Sequence, residues 1–144
     1  MNVIESGGRP RFYAIGLGPD ELLLESIKEA IGKYDIRNGA VLCGVGTLKR
    51  CRLHYVNTST FPPENKFYTI EEPLEIVSIS GLIADYEPHI HISAGCRDNR
   101  SWVGHLEDGS VVLYLAEMMV TKMDDLKMKR RIDERYKVSL LEKA

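Results

Sequence analysis

A single amphipathic helix among segments rich in β-branched residues predicts an α+β domain, a sheet with one principal helix packed on it. Leu23, Leu24, Ile27, Ala30 and Ile31 recur at helical spacing and make one apolar stripe. Leu74 to Ile83, Ile90 with Ile92, and Val111 to Val120 supply the core strands. With 144 residues, no internal repeat and no low-complexity stretch, the chain has the size of one domain, residues 1–144.

Arg11 to Leu17 reads as the first strand, and Gly18-Pro19-Asp20 supplies a turn and the start of a helix running to about Tyr34. Gly39 opens a second strand, Ala40 to Val45. Gly46-Thr47 or Lys49-Arg50 then marks a bend into a third, Cys51 to Val56. Asn57 to Asn65, rich in Ser, Thr and Pro, suits an exposed connection rather than a domain boundary, because strand patterns resume directly after it. Val111 to Val120 is apolar on both alternating faces, which predicts a strand covered on one side by a helix and on the other by something else, a neighbouring subunit being one such cover, and an oligomer is the expectation. After Asp124-Asp125, Leu126, Met128, Arg130 and Ile132 alternate with Lys127, Lys129 and Arg131, the pattern of a charged edge strand.

Composition excludes several function classes. No run approaches the ~18 apolar residues of a membrane span, and Met1 to Arg11 has neither the apolar core nor the cleavage site of a signal peptide, so the expected location is the cytoplasm. Cys43, Cys51 and Cys96 form no CxxC pair and are odd in number, which points to reduced thiols rather than a disulfide framework or a cysteine-rich zinc module. A formal charge of −2 gives no whole-molecule attraction to a phosphate backbone.

The chemistry gathers on histidine. Three of the four histidines, His89, His91 and His105, fall within a short span, while His54 stands alone on the third strand. On a strand, residues i and i+2 share a face roughly 6.5–7 Å apart, so His89 and His91 can lean onto one ion at about 2.0–2.1 Å from each nitrogen. The connection Gly95 to Ser101 carries Asp98-Asn99, and Trp102 to Leu106 returns, bringing His105 beside the pair as a third ligand. Three neutral imidazoles suit zinc, with nickel, cobalt, copper or iron as substitutes. The bland alternative is a chance HxH whose rings bond to backbone carbonyls or are simply exposed. No fourth protein ligand is evident, because Cys96 lies beyond the strand that carries the pair. The expected site therefore keeps an open position for water or a small ligand.

Glu117 interrupts the apolar run of its strand, which predicts a carboxylate in a dry sheet interior, either orienting a ligand imidazole, acting as general base, or paired with an arginine such as Arg130. Glu75 poses the same choice, with a paired structural carboxylate favoured. Cys51 and Ser80 have no histidine at a suggestive spacing, so no nucleophile is assigned and the catalytic residues stay unknown. Gly44-Val45-Gly46 is a fragment of a phosphate loop without its Gly-Lys-Ser ending. Gly8-Arg9-Pro10 matches the core of a minor-groove hook but lacks the flanking basic residues.

Taken as a set, Glu75 to Gly81 (EIVSISG), Pro88 to Ser93 (PHIHIS), Gly104 to Gly109 (GHLEDG) and Ala116-Glu117 resemble the plant and prokaryote conserved (PPC) domain, as do the first strand and helix and Gly44 to Leu48. Val103 departs from the pattern, since a second glycine often precedes the third histidine. The resemblance implies a mainly antiparallel sheet, a homotrimer and a metal on the HxH and GHL histidines; plant members join the domain to AT-hooks and act on chromatin. Two functions follow as expectations. The first is a regulatory or binding module, with DNA only weakly supported because no true hook is present; the other is a metal-dependent enzyme acting on a small molecule through the open site. Arg9, Arg11 and the Lys127 to Arg131 segment, repeated by a trimer, would be the route to DNA.

Overall fold

A computed structural model describes residues 1–144. The elements are β1 (Arg11–Leu17), α1 (Leu23–Lys33), β2 (Asn38–Val56), β3 (Asn65–Ile70), β4 (Leu74–Ala84), β5 (Glu87–Gly95), β6 (Ser101–Leu106), β7 (Val111–Lys122), β8 (Met128–Ile132) and β9 (Ser139–Lys143). A short 3-10 turn, Arg97–Asn99, joins β5 to β6, as the Asp98-Asn99 pair suggested. Every strand pairing is antiparallel, and α1 is the one α-helix, so the α+β class holds.

The large sheet runs β1-β7-β2-β4-β5-β6, and β6 returns to pair with the far end of β2, so β2, β4, β5 and β6 close into a ring. This closure requires β2 to be long. The expected second and third strands are in fact one continuous strand of 19 residues whose register slips between Val41 and Cys43, between Gly46 and Leu48, and between Leu48 and Arg50. Bulges coil a strand without ending it, which is why the glycines there read as a bend. Gly46 adopts φ 146°, and a Cβ on it would sit 2.4 Å from the Leu115 carbonyl oxygen, so both conformation and space demand glycine.

One face of the sheet is dry. Leu23, Leu24, Ile27 and Ile31 of α1 join Leu48, Leu53, Ile76, Ile79, Ile83, Ile90, Ile92 and Leu106 in a single buried cluster. Burying each such side chain contributes about 1.5–3 kcal/mol. The helix starts later than expected, at Leu23, after Asp20 takes a positive φ of 71° and the Glu21 carboxylate accepts a hydrogen bond from the Gly18 N–H.

The opposite face is open in the single chain. Phe12, Leu42, Val45 and Leu115 are exposed, so β7 is covered on one side only and the expected cover on its second side is not supplied by this chain. The charged C-terminal segment is also different from expectation: β8 pairs only with β9, in a separate two-stranded sheet, and is not an edge of the main one. Lys129 and Arg131 reach Glu142 at 3.6 and 3.0 Å. The Gly8-Arg9-Pro10 tripeptide is tethered as well, because Gly7 and Gly8 donate their N–H groups to Asp125 at 3.0 and 2.7 Å.

Candidate metal centre

The alternation of β5 decides where its histidines go. Ile90, Ile92 and Ala94 are buried, so His89, His91 and Ser93 take the outward face. Pairing then carries the row sideways: His91 stands opposite Ser80 on β4 and opposite His105 on β6, and His105 stands opposite His54 on β2. All four histidines are therefore neighbours. His54 does not stand alone, as its isolated place in the sequence suggests: the ring closure of β2 onto β6 joins residues 51 positions apart and leaves no local trace. Gly104 permits that closure, since a Cβ there would meet the His54 carbonyl oxygen at 2.5 Å.

The rings pack closely. His89 and His91 stack with centroids 5.3 Å apart, and His105 lies 4.9 and 5.7 Å from them on its one side and 4.6 Å from His54 on its other. The Nε2 atoms of His89 and His91 are 3.3 Å apart. Ligands of a tetrahedral ion at about 2.0–2.1 Å stand about 3.3–3.4 Å from one another, so this pair already has the spacing of two ligands.

Glu107 sits on the other side of His105. Its Oε1 lies 2.6 Å from His54 Nδ1 and 3.3 Å from His105 Nδ1, and His54, His105 and Glu107 are the one group of three potential ligands whose donor atoms all lie within 4.8 Å of one another; His89, His91 and His105 together do not meet that spacing. The 2.6 Å contact is too short for two ligands of one tetrahedral ion and is the length of a charge-assisted hydrogen bond, with His54 Nδ1–H donating to the carboxylate. His105 Nδ1 is buried and completes no hydrogen bond with Glu107. A carboxylate beside Nδ1 favours the proton there and leaves Nε2 as the lone pair, the arrangement found behind metal-bound imidazoles.

Electrostatics favours neutral rings. Desolvation, followed by the neighbouring His105 and Arg130, lowers the pKa of His89; desolvation, followed by His54, lowers that of His105. Neutral imidazoles are the form that ligates a metal.

Glu117 and Glu75 do not contribute. Both are exposed, and neither forms an ion pair or approaches a histidine. Glu117 lies instead beside Gly16, Gly44 and Met119 on the open face, and Arg130 bonds to backbone carbonyls. The acidic residue that matters, Glu107, carried a usable signal: it follows His105 by two positions, the spacing that puts both on one side of an extended chain. Cys96 donates its thiol to the Arg100 carbonyl at 3.4 Å and stays outside the cluster, while burial pushes the Cys51 thiol up to about 11.

The model of the Plants and Prokaryotes Conserved (PCC) domain matches residues 4–124. The chain belongs to this family. Among solved structures, a plant- and prokaryote-conserved (PPC) protein from Pyrococcus horikoshii is 26% identical with a TM-score of 0.78, covering 100% of this chain and 97% of that one. A metal-containing protein from Archaeoglobus fulgidus, 24% identical, has a TM-score of 0.81 over 97% and 98% of the two chains. The bifunctional protein GlmU of Synechococcus sp. (strain JA-3-3Ab) is 25% identical over 126 residues, which are 88% of this chain and 19% of that protein. The chain thus spans about a fifth of the length of the curated relatives it matches. No helix of this PPC domain is long and apolar enough to cross a membrane.

Proposed function

We propose that this PPC domain is a metal-binding module that holds zinc, or another divalent transition metal, on His89, His91 and His105, with an open position for water or a small ligand. The observation that carries it is the pair of Nε2 atoms 3.3 Å apart, backed by a third ring whose Nδ1 faces Glu107. Glu107 and His54 act behind the ligands: the carboxylate accepts from His54 and fixes the tautomer of His105. When bound, the ion supplies Lewis acidity at the open position. The Archaeoglobus protein of the same fold is described as metal-containing; for this chain the proposal stands on its own nitrogen geometry.

The proposal includes a homotrimer. Phe12, Val45 and Leu115 are 45–60% exposed on the open face, and a second copy is the cover proposed for it. Elemental analysis of the purified protein tests the metal, with about one ion per chain expected; a metal-free preparation that takes up no zinc removes the proposal. Light scattering tests the trimer, and a monomer at micromolar concentration removes it.

A second reading, a metal-dependent enzyme acting on a small molecule, is favoured by one observation. Two cavities of about 700 and 400 Å³ both open on His91. Turnover of an ester, phosphate or lactone by the zinc-loaded protein, abolished in His91→Ala, would select it. DNA binding has less support. Arg11 is held by Asp124 at 2.5 Å, Lys122 is buried against Asp35 at 3.0 Å, and Lys129 and Arg131 share Glu142, so these four basic residues are paired within the chain.

A further inference from the structure

The β8–β9 hairpin lies beyond the residues matched by the family model and folds over the outward face beside the histidines. Lys129 and Arg131 point to Glu142, and Arg130, between them, points the other way. It reaches the β4–β5 hairpin, where Nη1 donates to the Glu87 carbonyl at 2.8 Å and Nη2 to the Leu82 carbonyl at 3.1 Å. Leu82 is the cross-strand partner of His89, so the guanidinium is anchored next to the proposed ligands.

Three properties set Arg130 apart from the other arginines of the hairpin. No carboxylate comes within ion-pair distance of it, although it is half-buried; the Glu87 carboxylate acts on it only from farther away. Two of the five N–H donors of a guanidinium are committed to carbonyls, which fix its plane and leave three free. It also lines the cavity of about 400 Å³ together with His89, His91, Ser80, Ser139 and Leu141, and that cavity has no acidic residue in its wall. A fixed, partly desolvated cation with no carboxylate within ion-pair distance, facing a cavity that ends on the imidazoles of His89 and His91, favours an anion.

We propose that Arg130 is the recognition residue for an oxyanion, a carboxylate or a phosphate, on the small molecule that approaches the three-histidine site. The proposal rests on the metal-binding reading for the position of the ligand, while the anion contact belongs to Arg130 alone. Ser80 and Ser139 supply hydroxyls in the same cavity.

Calorimetric titration of the full-length protein with inorganic phosphate and with oxalate, zinc-loaded and again after chelation, tests this. Wild type is expected to bind at least one of the two anions, and Arg130→Gln to bind it about tenfold or more weakly at unchanged zinc content. Which anion binds tells phosphate from carboxylate. Because Arg130 also ties β8 to the β4–β5 hairpin, Leu141→Glu serves as a second variant: it leaves Arg130 in place and sets a competing carboxylate in the cavity, and it too should suppress binding. A chain that takes no zinc but still shows the tenfold difference in the chelated protein supports the anion site and sinks the metal reading alone. Equal affinities in wild type, Arg130→Gln and Leu141→Glu, or no binding of either anion at millimolar concentration, overturn the proposal.

Discussion

Successive residues of β5 belong to two different kinds of surface. Ile90 and Ile92 are 1% and 2% exposed inside the ring of β2, β4, β5 and β6, whereas His89 and His91, on the same strand, face outward toward His105 and Arg130. The inner face contributes stability and tolerates no polar group; the outer face carries the chemistry and contributes little to the core. Substitutions on one strand should therefore separate folding from metal binding.

The largest effect belongs to the inner face. Ile92→Ala should cost about 2–5 kcal/mol of folding stability in urea denaturation of the metal-free protein, while His91→Ala, one position away, should stay within about 1 kcal/mol. Comparable losses at the two positions would erase the distinction between the faces.

A smaller effect sharpens the contrast between two carboxylates. Glu107→Gln should weaken zinc binding by about 10–100-fold in a chelator competition, because the Nδ1 atoms of His54 and His105 lose their charged neighbour. Glu117→Gln, on the open face, should leave zinc affinity unchanged.

The smallest effect is the pH dependence of the metal-free protein. Burial lowers the pKa values of His89 and His105 in the folded chain, so between those depressed values and about 6.5 the unfolded chain binds more protons. The stability contribution is complete above about 6.5 and is lost as pH falls through that window. Thermal unfolding between about pH 7 and pH 5 should show this decline, and His89→Gln should flatten it. An unchanged slope in that variant would show that His89 is not among the groups responsible.

The fold was legible where one residue constrains its neighbours. The stripe Leu23 to Ile31 and the alternation of β5 fix helix and strand locally, and the HxH spacing puts two imidazoles on one face. What escaped depends on distant pairing. His54 joins the cluster only because β2 runs unbroken through its bulges to meet β6, and a glycine that bends a strand looks the same in sequence as one that ends it. Glu117 misled for a related reason: an acid in an apolar run reads as buried when the run is assumed to be covered on both sides, and in the single chain one side of β7 is open. The β8–β9 pairing was likewise hidden, since alternation predicts a strand but not its partner.

The central claim is that His89 and His91 ligate the metal together with His105, whereas His54 and Glu107 stand behind them. Zinc content of His91→Ala and His54→Ala, measured side by side on protein refolded with equimolar zinc, tests it most directly. The account predicts near-zero zinc in His91→Ala and retained zinc in His54→Ala, with at most the modest loss expected for a residue outside the ligand set. Zinc retained in His91→Ala and lost in His54→Ala would move the ion to His54, His105 and Glu107 and contradict the assignment.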